Sequence, residues 1–145
     1  MPEHKATILI ADDDPLILNM IIDVLSADGY HLLVARDGRE AIQLATTNQP
    51  DLMLIDVVMP EVGGYEFVQA LREREPDREF PIIFLSAQDQ EAQIGAAFDI
   101  GALDYITKPF SPGNLRTRVR TWLLRLGSGA ESGSPLPDAP GAAPS

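Results

Sequence analysis

Short apolar runs of strand length alternate along this chain with stretches whose apolar residues recur at helical spacing. Runs at residues 6 to 11, 31 to 35, 51 to 55, 81 to 85 and 104 to 107 read as strands, each bounded by turn or polar residues. After the first run, Ile17, Met20, Ile21, Val24 and Leu25 fall on one helical face, with Asp14 as predicted N-cap and Pro15 at the first helical position. Asp37-Gly38-Arg39-Glu40 reads as a variant capping box that opens a second helix, and Leu115, Val119, Trp122 and Leu123 give the last helix its apolar stripe. Five strand-helix units of this kind predict an α/β domain built around a parallel sheet.

The polar residues that close these runs carry the chemistry. In a parallel sheet the C-terminal strand ends share one edge, which would gather Asp12-Asp13-Asp14, Asp56, Ser86 and the Lys108-Pro109 pair. Three crowded carboxylates repel one another, and a hard divalent cation such as Mg²⁺, which prefers oxygen ligands, relieves the repulsion. A lysine at the same edge can bind an anion. Each residue alone has a plainer reading: an aspartate at a strand end can simply cap a helix, as assigned to Asp14, and a lone lysine is commonly solvated. Capping does not explain Asp12, Asp13, Asp56 and Lys108 in one place, so the set reads as a phosphoryl-acceptor site. Gly63-Gly64, after Met59-Pro60, are expected to give backbone freedom to the loop beyond Asp56.

With Thr107-Lys108-Pro109-Phe110 and Phe84-Leu85-Ser86-Ala87, these residues make the chain resemble the receiver domain of two-component response regulators over about residues 6 to 126. The resemblance implies a doubly wound, flavodoxin-like five-stranded parallel sheet of order 2-1-3-4-5. It implies that Asp12 and Asp13 hold Mg²⁺, or Mn²⁺ in its place, together with Asp56 and the backbone carbonyl of Val58. Asp56 would accept a phosphoryl group from a histidine kinase or phosphotransfer protein, and Lys108, after a cis Lys-Pro bond, would neutralise the phosphoryl oxygens. Ser86 and Tyr105 would be the switch pair, linking the pocket to a partner surface made by the fourth helix, the fifth strand and the last helix. Read without the motif, they are a turn serine and a half-buried strand tyrosine. Val58, Ala87 and Gln88 would line the mouth and govern access of water.

The last segment is similar to receivers that precede winged-helix DNA-binding domains and dimerise through that same surface. Asp104 with Arg118, and Asp99 with Arg120, occupy positions of interfacial ion pairs in those proteins. Ile94 and Asn114 stand where another opposite-charge pair is common, so a weak homodimer or none is expected. Arg116, Arg118, Arg120 and Arg125 read equally as a solvated face or as part of a partner surface.

Composition narrows the picture further. A chain of 145 residues, 45% hydrophobic, suits one domain with a real core. Its formal net charge of -11 opposes nonspecific attraction to nucleic acid or anionic lipid. Absence of cysteine excludes disulfides and thiolate chemistry, and the start Met1-Pro2-Glu3-His4-Lys5 has no signal-like apolar segment. Without a membrane-length run, the expectation is a cytoplasmic signalling module whose partners are a kinase and a downstream target, not DNA or membrane. Residues 1 to 5 read as an N-terminal arm and 127 to 145, rich in Gly, Ser, Ala and Pro, as a disordered tail or linker. Two alternatives remain: the receiver end of a longer regulator with an output domain, and a Mg²⁺-dependent phosphatase working through an aspartyl phosphate. The phosphatase would need a general acid two residues beyond Asp56, where Val58 stands.

Overall fold

Successive residues of the central strands point to opposite faces of the sheet, which decides the layer each one enters. In the computed structural model, which describes residues 6–87 and 101–127, the strands are β1 (Thr7–Ala11), β2 (His31–Ala35), β3 (Leu52–Asp56), β4 (Ile82–Ala87) and β5 (Asp104–Lys108). They pair in parallel in the order β2-β1-β3-β4-β5. Leu9, Met53, Ile55 and Phe84 point to one face and pack with Ala41, Ala45, Phe67, Val68 and Leu71. Ile8, Ile10, Leu52, Leu54, Ile83 and Leu85 point to the other and pack with Leu18, Ile21, Leu25, Leu115 and Val119. Helices α1 (Pro15–Ala27) and the C-terminal helix (Pro112–Gly127) therefore cover one face, and α2 (Gly38–Asn48) and α3 (Gly64–Arg74) the other. Burial on both faces explains why β3 is apolar throughout until Asp56.

The helix starts follow local chemistry. Asp14 caps α1, its carboxylate accepting from the Leu16 N–H at 2.9 Å, and Asp37 caps α2 by accepting from the Glu40 N–H at 2.9 Å. Glu40 reaches back to the N–H of Arg36 rather than to that of the cap residue, so the box closes one residue early.

Several sequence expectations shift by a residue or two. β3, β4 and β5 run on to include Asp56, Ser86 with Ala87, and Lys108, so these groups end the strands rather than follow them. On α1, Leu18 is buried while Ile17 and Met20 are only partly so, because the helix packs against both the sheet and the C-terminal helix. Trp122 and Leu123 are likewise partly buried, leaving Leu115 and Val119 as the fully covered stripe.

The glycines beyond β3 serve a different purpose from the one expected. Gly63 has φ -77, which any residue adopts, and the left-handed residue of this loop is Glu61, at φ 66. What Gly64 supplies is close approach: a Cβ there would lie 2.8 Å from the Asp56 carbonyl oxygen and 2.9 Å from the Phe84 ring. Gly64→Ala is therefore expected to lower stability by about 1–3 kcal/mol, since backbone and a packed ring must both shift. Urea unfolding measures it, and unchanged stability would show that α3 has slack against β3.

Candidate functional site

Register brings the strand-end groups together. Ala11 pairs with Ile55, Asp56 with Leu85, Ser86 with Thr107 and Ala87 with Lys108, so Asp12, Asp56, Ser86 and Lys108 line one edge on neighbouring strands. Carboxylate oxygens of Asp12, Asp13 and Asp56 lie within 4.8 Å of one another. Asp12 and Asp56 are buried, whereas Asp13 is exposed at the rim.

Lys108 sits between the two buried acids. Its Nζ lies 2.9 Å from Asp12 Oδ2 and 3.3 Å from Asp56 Oδ2. The Lys108–Pro109 peptide bond is cis. The remaining oxygens are held by the main chain: Asp12 Oδ1 accepts from the Asp14 N–H at 2.9 Å and Asp56 Oδ1 from the Val58 N–H at 3.2 Å. Asp12 Oδ2 is buried against the Lys108 ammonium, 2.9 Å away. Three carboxylates gathered at one edge with a single ammonium between two of them suit a further cation.

Electrostatics follow from this crowding. Burial, and then the neighbouring Asp12 charge, push the Asp56 carboxyl up to about 7, against smaller opposing contributions from Lys108 and the Val58 N–H. Burial pulls the Lys108 ammonium down, but the Asp12 and Asp56 carboxylates outweigh it and leave it above its ordinary value. Two close acids and one base thus carry more negative charge than the site can neutralise alone.

Ser86 is buried at the end of β4, its hydroxyl donating to the Ala87 carbonyl at 3.3 Å. Tyr105, half-buried on β5, packs against the core face shared by α2 and α3. Val58 is 53% exposed at the mouth, next to the acids. Gln88, Ile94 and Asp99 lie outside the described residues.

The sequence did not disclose how Asp104 is used. It is buried and pairs with Arg118 inside the chain, Nη1 to Oδ2 at 2.9 Å. Arg116 likewise joins Asp28, at the end of α1, at 3.1 Å. Among the described residues, no helix is long and apolar enough to cross a membrane.

The profile of the response regulator receiver domain matches residues 8–120. The chain is 39% identical over 118 residues to the alkaline phosphatase synthesis transcriptional regulatory protein PhoP of Bacillus subtilis, an alignment covering 81% of this chain and 48% of that protein. A solved receiver domain of a Francisella response regulator superimposes with a TM-score of 0.75 at 36% identity, covering 83% of this chain and 98% of that one. A chemotaxis response regulator of Vibrio cholerae does so with a TM-score of 0.75 at 31% identity, covering 81% and 98%. The chain spans about half the length of the curated relatives it matches. With the fold, the strand-end acids and the sequence match in agreement, the chain belongs to the response regulator receiver domain family.

Proposed function

We propose that this receiver takes a phosphoryl group on Asp56 from a phosphohistidine donor and thereby changes the surface it offers to a downstream partner. The observation that carries the reading is the convergence of Asp12, Asp13, Asp56 and Lys108 at one strand edge. In the transfer, an Asp56 carboxylate oxygen forms the new P–O bond as the P–N bond breaks, and the bonding pair stays on the donor imidazole. Asp56 must be ionised to attack, and Lys108 lies where it can neutralise the incoming phosphoryl oxygens. Asp12, Asp13, Asp56 and the Val58 carbonyl would hold Mg²⁺, or Mn²⁺, which supplies charge neutralisation for the acids and the phosphoryl oxygens. The all-oxygen donor set of three close carboxylates supports that fit.

Turnover as a phosphatase is disfavoured by Val58, which cannot serve as a general acid. The chain is therefore read as a signalling domain that at most phosphorylates and dephosphorylates itself. A second reading of the output is favoured by the relatives' length: the segment matched is about half of each, so in a longer polypeptide the same surface would act on an attached output domain. Incubation with acetyl phosphate and Mg²⁺, followed by intact mass, tests the acceptor. One phosphoryl group is expected on the parent protein and none on Asp56→Asn; undiminished labelling of the variant would remove Asp56 from the role.

A further inference from the structure

Asp104 opens β5 and is 1% exposed, and among the described residues its side chain accepts from Tyr105 and from the C-terminal helix. The Tyr105 N–H donates to Oδ1 at 2.8 Å. Arg118 Nη1 and Trp122 Nε1 donate to Oδ2 at 2.9 and 3.0 Å. Arg118 Nη1 also donates to the Tyr105 carbonyl at 2.9 Å. One buried ion pair thus grips the main chain of Tyr105 at both its N–H and its C=O. The same carboxylate holds the indole of the chain's one tryptophan, over whose ring the Arg125 guanidinium lies at 5.1 Å.

We propose that Asp104 is a positioning residue that makes Tyr105 and the C-terminal helix move as one unit, so that filling of the pocket at Asp56 is read out at Trp122. The inference rests on the reading of Asp56 as phosphoryl acceptor. Ser86 pairs with Thr107 and Phe84 with Tyr105, so a rearrangement at the pocket end of β4 and β5 reaches Tyr105 within two residues. Displacing the Tyr105 main chain must either break charge-assisted bonds in a buried setting or carry Arg118 and Trp122 along. Stranding a buried charge is the costlier course, so the unit moves together.

Asparagine at 104 cannot satisfy all three donors: with its oxygen toward Arg118 and Trp122 it turns an NH₂ toward the Tyr105 N–H, and reversed it strands the other two. The test uses Mg²⁺ and beryllofluoride, a phosphoryl mimic, with bound-fluorine NMR signals reporting occupancy and the ¹⁵N indole signal of Trp122 reporting the helix. In the parent, the indole signal is expected to move with the same midpoint as the fluorine signals. In Asp104→Asn at full occupancy the displacement should fall about twofold or more, in line with coupling carried by one contact network. Arg118→Met, which leaves Asp104 its other two donors, should give the same loss and keeps the test open if Asp104→Asn does not fold. An indole that stays still in the parent while fluorine shows a filled pocket, or moves equally in the variants at equal occupancy, overturns the proposal. Absence of bound-fluorine signals would overturn the Asp56 reading itself, and this inference with it.

Discussion

Lys108→Met is expected to slow phosphoryl uptake at Asp56 by about two to three orders of magnitude, the usual cost of removing one preorganised group aimed at transition-state charge. Among the described residues, Lys108 is the cation within reach of both buried acids, at 2.9 Å from Asp12 and 3.3 Å from Asp56. Methionine keeps the length and apolar stem of the side chain, so the loss isolates the ammonium. Phosphorylation rates with acetyl phosphate at saturating Mg²⁺ measure it. A loss under about threefold would mean that Lys108 serves the metal-free ion pair alone, well short of the electrostatic role assigned to it.

Asp56→Asn should stabilise the metal-free protein, and more so as pH rises. The folded carboxyl is pushed up to about 7 from 3.8, so between those values the folded state holds a proton that the unfolded chain has released. Stability linked to Asp56 is complete below about pH 4 and is lost as pH climbs through about 7. The gap between variant and parent should therefore widen from pH 4 to pH 8, reaching about 2 kcal/mol, below the linkage ceiling of roughly 4 because the site opens to water at its mouth. Urea unfolding in EDTA across that range measures the gap. A gap that is flat or narrows with pH would show that Lys108 compensates Asp56 fully.

What could be read from the sequence was whatever rests on local pattern. The continuous apolar runs of β1 and β3 mark strands buried on both faces, and the polar residues at or just beyond the ends of β1, β3 and β5 fall at one edge because a parallel sheet leaves them nowhere else. Caps at Asp14 and Asp37 were legible because their donors lie two or three residues away. Asp104 was legible only in part: its pairing with Arg118 was expected across an interface, whereas its burial, the closure of that pair within one chain and the Trp122 donor depend on contacts 14 and 18 residues apart. Gly64 was misread for a similar reason: a sequence shows where glycine is, whereas only packing against Asp56 and Phe84 shows that the need is for space rather than for an unusual φ.

Three carboxylates lie close enough to compete for the phosphoryl group, so the decisive measurement is one that locates it. Borohydride reduction of the acetyl-phosphate-treated protein converts an aspartyl phosphate to homoserine, and peptide sequencing by mass spectrometry then finds the position. Homoserine at 56, with Asp12 and Asp13 unaltered, is the predicted result. Homoserine at 12 or 13, or no reduced residue although intact mass shows an adduct, would contradict the assignment of Asp56 as the acceptor.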